Sequence, residues 1–342
     1  MRAGLLLLAG ALLAAGTAAS AQTAELFYRG KTIRFISSAG VAGGFEGYAR
    51  SFAAHFPDHL AGHPSIVVES MPGAGGLRAA NHLFNQAARD GTVIGIIHSP
   101  LPFQPIYGNK AARYDARDFN WLGSIDTSTS MCIAWQDSQV KGWDDLQNRE
   151  FIVGSVGSGS GMDVLPTMLN RLFHTHMRIV SGYGDGVAIL MAMERGEVEG
   201  RCGGMLTVLK ATRPDWIAER KFTIPIVLSD HRLKDYPDSP SLLELVSDSR
   251  LRLMLQLIFA QQKIDRPLLA PPGLPPERVA ALRAAFDATM ADPDFVRDAK
   301  SRNLTLDPIT GAEVAEIIRQ AYDTPPEIVA MAREALGNQP AE

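Results

Sequence analysis

Short apolar runs alternate with amphipathic segments along the chain, and this alternation predicts an α/β fold. Three runs are typical of short buried strands: Ile33–Ile36, Ile66–Val68 and Val93–Ile97. Two intervening segments each place apolar residues on one helical face: Phe45, Tyr48, Phe52 and Phe56, then Leu77, Ala80, Phe84 and Ala87. Pro57 and Gly62 are predicted to end the first helix. This order of strands and helices predicts a parallel sheet with helices on its faces.

A similar order follows Ser130. Five further strands are predicted: Ser130–Trp135, Phe151–Val153, Met177–Ser181, Glu199–Gly203 and Thr223–Leu228. Four further helices are predicted: Met162–Phe173, Val187–Arg195, Glu277–Met290 and Ala312–Tyr322. Pro267–Pro276 is interpreted as a stiff connection before the last two helices. A chain of 342 residues exceeds the size at which one core keeps growing, so we expect two domains.

Two glycine-rich turns each join a predicted strand to a predicted helix. One spans Ser37–Gly44, and the other spans Gly154–Gly161. Such turns direct backbone N–H groups to one point at a helix N-terminus, where unpaired amides and the helix dipole attract an anion. The candidate ligand-binding residues here are Ser38, Gly43, Gly44, Phe45, Ser155, Ser158, Gly159, Ser160 and Gly161. Two anion-binding turns suggest two domains that close on one small acid.

Three residues outside the turns are further candidates. Ser99 follows a predicted strand, and the carboxyl ends of parallel strands commonly face a ligand. Tyr183 lies in a turn that opens a helix, where it either covers a ligand or is an ordinary loop residue. Arg201 either donates a charge-assisted bond to the distal end of a ligand or forms a structural ion pair.

The N-terminus predicts export. Arg2 precedes the apolar run Leu5–Ala15, and Ala19–Ala21 has the small residues of a cleavage site, so residues 1–21 are predicted to be a secretory signal peptide. The apolar run is shorter than the ~20 residues that span a bilayer. The formal net charge of −4 argues against nucleic acid or an anionic membrane as the main partner.

The two cysteines, Cys132 and Cys202, leave two interpretations open: a disulfide in an oxidising compartment, or two buried thiols. His55 and His59 are four residues apart, but we expect exposed histidines at a helix end and no metal site. No G-x-S-x-G motif surrounds the serines of the second turn. We therefore expect no catalytic residue and no cofactor.

Several motifs then occur in the order of a known family. They begin with Phe27–Arg34, the Gly43-Gly44 turn and Met71-Pro72-Gly73-Ala74-Gly75-Gly76. They continue with Asp90-Gly91-Thr92, the second turn, Gly196-Glu197-Val198-Glu199-Gly200 and Pro271-Pro272-Gly273-Leu274-Pro275. With them the chain resembles the substrate-binding proteins of tripartite tricarboxylate transporters, the TctC or Bug family. It departs from the family at Ala42, Glu46 and Glu199, where proline, aspartate and aspartate are common.

The resemblance implies a type II periplasmic binding protein-like fold, with two α/β domains, a hinge and a ligand cleft between them. The expected domains are residues 25–130, residues 131–256, and a return to the first domain with C-terminal helices over residues 257–342. The expected function is a soluble, monomeric periplasmic receptor. It would hold a small carboxylate through backbone amides of both turns and deliver it to integral-membrane permease subunits. Two alternatives remain: a periplasmic serine hydrolase, and a ligand sensor without its own permease.

Overall fold

The computed structural model describes residues 25–41, 44–157 and 160–337, so the predicted signal peptide lies outside the described residues. The first elements in chain order are β1 (Thr32–Ser37), α1 (Gly44–His59), β2 (Ser65–Ser70), α2 (Leu77–Asn85), β3 (Val93–Ile96) and β4 (Asn120–Ser124). The helix α1 continues past the predicted end at Pro57. Proline removes one helical hydrogen bond, and here the loss falls in the last turn of the helix.

The middle of the chain follows the predicted alternation. Its strands are β5 (Ser130–Trp135), β6 (Glu150–Ser155), β7 (His176–Ser181), β8 (Gly200–Met205) and β9 (Phe222–Leu228). Its helices are α3 (Trp143–Asn148), α4 (Gly161–Phe173), α5 (Gly186–Glu194), α6 (Leu206–Thr212), α7 (Pro214–Ala218) and α8 (Ser249–Ala260).

The C-terminal part contains two short strands and four helices among the described residues. These elements are β10 (Pro267–Ala270), α9 (Pro276–Ala291), α10 (Pro293–Ser301), β11 (Ile309–Thr310), α11 (Gly311–Tyr322) and α12 (Pro326–Ala335). The interpretation of Pro267–Pro276 as a connection was wrong for its first four residues. Pro267–Ala270 is buried and pairs with β3 on one side and β4 on the other.

The described residues form two units. Unit 1 contains residues 25–105, 109–127 and 264–322. Its six-stranded sheet has the order β11-β4-β10-β3-β1-β2. Strand β1 pairs parallel with both β2 and β3, as the sequence predicts, while β10 and β11 run antiparallel to their neighbours. The helix face containing Phe52 and Phe56 is fully buried in the core of this unit, in a cluster that also contains Phe35 and Phe286.

Unit 2 contains residues 106–108, 128–263 and 323–337. Its five-stranded sheet has the order β7-β6-β8-β5-β9. Strand β6 is parallel to β7 and β8, and β5 is antiparallel to β8 and β9. Cys132 faces Cys202 across β5 and β8, and a disulfide joins them. A second core surrounds Trp216, which is fully buried.

The chain passes between the units near the predicted boundaries. The chain passes from unit 1 to unit 2 after Thr127 and returns to unit 1 after Lys263, whereas the sequence predicts these two crossings after residues 130 and 256. The C-terminus differs more: residues 323–337 group with unit 2 instead of the first domain, because α12 packs on α8. Within the described residues, no helix combines the length and the hydropathy needed to cross a membrane.

Candidate functional site

The first glycine-rich turn begins at the carboxyl end of β1 in unit 1. The backbone N–H of Ser38 donates to the carbonyl oxygen of Ile96 at 3.0 Å, and the Ser38 hydroxyl oxygen accepts the N–H of His98 at 3.1 Å. Ser38 is therefore fixed to the end of the neighbouring strand β3. Ser99 follows at the same end and is half-buried. Gly44 is the first residue of α1, and Gly43 lies outside the described residues.

Phe45 lies close to two residues, His98 and Arg266, that the sequence analysis does not select as candidate ligand-binding residues. Its ring centroid is 4.3 Å from that of His98 and 5.3 Å from the guanidinium carbon of Arg266. Burial, and then the charge of Arg266, lower the pKa of His98. The imidazole is therefore neutral at pH 7 and offers one donor and one acceptor beside the turn. The only sequence signal for His98 is its position at the end of a strand.

The motif Met71–Gly76 approaches the first turn. Gly76 has a φ of 96°, and an added Cβ would lie 3.2 Å from the Cβ of Ser38 and 3.3 Å from the ring of His98. Glycine is needed at this position both for its left-handed backbone and for this close approach. This motif is one of those on which the family resemblance depends, and its last glycine packs beside Ser38 in the first turn.

Glu46 places a carboxylate in the first turn of α1 and is 3% exposed. Its Oε1 lies 3.0 Å from Arg50 Nη2, yet neither carboxylate oxygen accepts a hydrogen bond from any residue that the structure describes. The contact with Arg50 is thus an ion pair without hydrogen-bond geometry. An acid near a helix N-terminus is favoured by the dipole and competes there with an anionic ligand.

The second turn connects β6 to α4 in unit 2. Ser155 is fully buried, its hydroxyl oxygen accepts the N–H of Gly157 at 3.1 Å, and the Ser160 hydroxyl donates to the carbonyl oxygen of Gly157 at 2.7 Å. Ser160 precedes α4 without accepting a hydrogen bond from its first turn. The serine side chains therefore stabilise the turn and leave the start of α4 uncapped by a side chain. Ser158 and Gly159 lie outside the described residues.

Tyr183 is held against the second turn by its backbone. The N–H groups of Gly182 and Tyr183 both donate to the carbonyl oxygen of Ser155, at 3.2 and 3.3 Å. Partial burial and the charge of Glu197 raise the pKa of the Tyr183 hydroxyl. The second turn and the loop that precedes α5 are therefore hydrogen-bonded to each other, although the sequence analysis names them as separate candidates.

Arg201 occupies the interior of unit 2 and is 1% exposed. Its Nη1 donates to the carbonyl oxygen of Gly186, the first residue of α5, at 3.1 Å. Nε and Nη2 are buried and have no partner among the described residues. Burial lowers the pKa of the guanidinium to about 10, so the side chain remains charged at pH 7. The structural ion pair that the sequence offered as an alternative does not occur among the described residues.

Two other sequence features have structural roles. Glu199, one of the departures from the family, accepts hydrogen bonds from the Ile152 N–H at 3.0 Å and the Ser138 hydroxyl at 3.2 Å. His59 Nε2 lies 2.9 Å from Asp292, and His55 lies within 4.0 Å of the same carboxylate. Across the described ranges, no group of three or more His, Cys, Asp or Glu residues is arranged to hold a metal ion.

Comparison with known proteins identifies the family. Residues 49–323 match the model of the tripartite tricarboxylate transporter family receptors, TctC, so the chain belongs to this family. Members of the family are periplasmic substrate-binding receptors that work with transporter permeases, and they are not enzymes. The hydrolase alternative is therefore set aside. A search of curated protein sequences found no significant match.

Solved structures share the fold. A TctC solute-binding protein from Polaromonas, without ligand, has a TM-score of 0.71 at 18% identity, covering 91% of this chain and 100% of its own. MatC from Rhodopseudomonas palustris, with bound malate, has a TM-score of 0.55 at 19% identity, covering 90% and 99%. Another R. palustris protein, with adipate, has a TM-score of 0.56 at 14% identity, covering 90% and 97%. The two-domain periplasmic binding protein fold predicted from the sequence is confirmed.

Proposed function

We propose that this receptor binds a small organic acid through the main-chain N–H groups of two turns, Ser38–Phe45 and Ser155–Gly161, and that its two units close on that acid. The observation that carries the proposal is the second turn. Ser155 and Ser160 bond within the turn, and α4 begins without a side-chain cap from Ser160. The N-terminus of a 13-residue helix in this state favours a carboxylate.

The solved relatives support the chemical class. MatC holds malate, and another R. palustris protein of this fold holds adipate. Both ligands are carboxylates, and an uncapped helix N-terminus recognises a carboxylate regardless of the rest of the molecule. We extend the class to this chain on that basis, together with its family.

We propose the same partners and location that the sequence predicts. The signal peptide of residues 1–21 exports the protein to the periplasm, where it acts as a monomer. Its ligand then passes to integral-membrane permease subunits. The alternative of a sensor without a dedicated permease uses the same site and differs only in this last step.

A binding screen tests the proposal. The purified receptor is titrated calorimetrically with mono-, di- and tricarboxylates of two to six carbons, and each acid is paired with the corresponding amide. We expect at least one acid to bind and its amide to bind much more weakly. Absence of binding to every acid would refute the carboxylate proposal.

A variant locates the binding. An added Cβ on Gly161 would meet no atom closer than 3.8 Å, so Gly161→Val is expected to fold while the side chain crowds the start of α4. We expect it to weaken acid binding at least tenfold. Gly142→Val, at the start of α3 and also without a close neighbour, is the matched control and should bind normally. Equal affinity in both variants would exclude the start of α4 as the site.

A further inference from the structure

The segments at which the chain leaves and re-enters unit 1 are hydrogen-bonded to each other. The N–H of Ile125 donates to the carbonyl oxygen of Arg266 at 3.1 Å, and the N–H of Asp265 donates to the carbonyl oxygen of Asp126 at 3.0 Å. All four residues belong to unit 1 and lie close to the two crossings. A change of backbone conformation at one crossing is therefore transmitted to the other.

Residues 305–307, here called the clamp, lie between α10 and β11 and contact the exit segment, residues 125–127. The N–H of Asp307 donates to the carbonyl oxygen of Ile125 at 3.3 Å. The hydroxyl of Thr127 donates to the carboxylate of Asp307 at 2.5 Å. Backbone and side chain of the clamp thus both hold the exit segment.

The clamp also carries Thr305, whose hydroxyl group is hydrogen-bonded to the carboxyl group of Asp126. The Tyr48 hydroxyl completes this cluster, because its oxygen accepts the N–H of Thr305 at 3.0 Å. The same hydroxyl lies 3.1 Å from the carbonyl oxygen of Thr305 and 3.2 Å from the carboxyl group of Asp126. A phenol has one proton, so it donates to one of these two acceptors at a time.

The protonation of Asp126 decides which acceptor Tyr48 uses. A protonated Asp126 donates to the Thr305 hydroxyl oxygen, and the Tyr48 hydroxyl is then free to donate to the Thr305 carbonyl oxygen. An ionised Asp126 accepts from both hydroxyls, and the Thr305 carbonyl oxygen loses its bond to Tyr48. Ionisation therefore removes one of the hydrogen bonds that hold the clamp.

The surroundings of Asp126 favour its protonated state. Asp126 is 2% exposed, and Asp265 is a second buried acid, at 5%. The nearby cation Arg266 is engaged by Asp265, because its Nη1 lies 2.6 Å from that carboxylate. Burial raises the pKa of both acids, that of Asp126 to about 6. Among the described residues, the titratable or charged groups around the carboxyl of Asp126 are Tyr48 from α1, Asp265 and Arg266 from the re-entry segment, and Asp307 from the clamp.

We infer that Asp126 is a proton-controlled lock on the clamp: the clamp is fixed while Asp126 is protonated and loosens when Asp126 ionises. The exit segment then changes conformation more freely, which eases the closure that the proposed function requires. Because the fold raises the pKa of this acid, the clamp is firmest below pH 3.8 and weakens as the pH rises through about 6.

Amide hydrogen exchange of the ligand-free receptor tests the lock. Exchange at pH 4.5 and 7.5, corrected for intrinsic rates, is followed by mass spectrometry in a peptide that covers residues 303–309. This peptide contains the N–H groups of Thr305 and Asp307, whose acceptors are Tyr48 and Ile125. A second peptide covers β1 and reports the core of unit 1. Exposure times are kept short enough that the β1 peptide stays protected at both pH values.

We expect the clamp peptide of the wild type to exchange at least about tenfold faster at pH 7.5 than at pH 4.5. The reason is that each unit between the ordinary pKa and the raised pKa of Asp126 changes the opening equilibrium by up to about tenfold. Asp126→Asn keeps a donor for the Thr305 hydroxyl oxygen and cannot ionise, so its clamp should stay protected at both pH values. Asp58→Asn, at an exposed aspartate of α1, is the control for the loss of one negative charge and should match the wild type.

A second variant covers the case in which Asp126→Asn does not fold. Thr305→Val keeps the shape of the side chain and removes the hydroxyl that joins the clamp to Asp126. We expect its clamp peptide to exchange fast at both pH values, while the β1 peptide stays protected.

The outcomes are distinct from those of the acid-binding screen. Equal protection of the wild-type clamp at the two pH values, or an unchanged pH dependence in Asp126→Asn, would overturn the lock. Exchange of the clamp and β1 peptides at one common rate would also overturn it, because the opening would then be global. None of these results bears on whether the receptor binds an acid, which the calorimetric titrations test separately.

Discussion

Asp126 is a buried acid whose ionisation should make unit 1 less stable as the pH rises. The residue is 2% exposed and lies one position before Thr127, where the chain leaves unit 1. Its carboxylate accepts a hydrogen bond from the Tyr48 hydroxyl at 3.2 Å and another from the Thr305 hydroxyl. Two charged residues are nearby: Asp265, whose N–H donates to the Asp126 carbonyl oxygen at 3.0 Å, and Arg266.

The expected magnitude follows from the pKa. Burial is the largest cause of the shift, and the pKa of Asp126 rises from 3.8 to about 6; the charge of Asp265 adds to this rise, and Arg266 opposes it. The folded state therefore holds this proton more tightly than the unfolded state. Between pH 3.8 and about 6 the unfolding free energy falls as the pH rises, by about 3 kcal/mol in total, and above that range the penalty is constant.

Asp126→Asn removes the titrating group and keeps a side-chain oxygen as acceptor. Urea unfolding, followed by circular dichroism, gives the unfolding free energy of both proteins at pH 4, 5, 6 and 7.5. Whatever the substitution costs at pH 4, the difference between variant and wild type should shift by about 2.4 kcal/mol in favour of the variant by pH 7.5, because part of the transition already lies below pH 4. Asp58→Asn, at an exposed aspartate of α1, is the control for the loss of one negative charge.

A constant difference for Asp126→Asn would refute this reasoning. It would mean that the pKa of Asp126 is the same in the folded and unfolded states, with the hydroxyls of Tyr48 and Thr305 compensating the cost of burial. A shift in the opposite direction would mean that the charged form is the one that the fold stabilises.

Three further predictions concern the turns, the disulfide and the core. Gly44→Val should abolish acid binding with little loss of stability, because a branched side chain would shield the first backbone amides of α1. The control is Ala54→Val on the exposed face of the same helix, which should keep the wild-type affinity in the same calorimetric titration. The double variant Cys132→Ala/Cys202→Ala removes the disulfide that joins residues 70 positions apart, and it should lower the unfolding free energy by up to about 4 kcal/mol. Reductant should then have no further effect on the urea unfolding of this variant. Gly123→Ala should lower it by about 1–3 kcal/mol, because an added Cβ would overlap the ring of Phe286, whereas Gly142→Ala meets nothing within 4 Å and should be near neutral.

The strands and helices that bury an apolar face were predictable from the sequence. The face from Phe45 to Phe56 repeats with the period of a helix, and the strand at Val93 is a short continuous apolar run, so local pattern and tertiary packing agree. Strand β10 could not be found in this way, because it spans four residues and begins with Pro267. Its strand conformation depends on pairing with both β3 and β4, a non-local effect that no window of sequence contains.

The candidate site also contains residues that the sequence predicts and residues that it does not. Glycine-rich turns between strand and helix have a local signature, and Ser38 and Ser155 lie at strand ends as expected. Arg266 has no such signature, and His98 has only its position at the end of a strand, because their contacts with the Phe45 ring depend on the order of strands in the sheet. For Arg201 the residue type indicated an anion, but only the structure reveals that its Nε and Nη2 lack an internal acceptor among the described residues.

Helix α1 connects the first turn to the segments where the chain leaves and re-enters unit 1. Phe45 lies in its first turn, and one turn later Tyr48 donates to Asp126, next to the crossing at Thr127. The guanidinium of Arg266, close to the crossing after Lys263, lies 5.3 Å from the Phe45 ring and 4.8 Å from the Tyr48 ring. A displacement of the start of α1 would therefore disturb contacts with residues next to both crossing segments. The proposed closure on an acid would use this connection, because binding energy can shift a conformational equilibrium only through contacts that differ between its states.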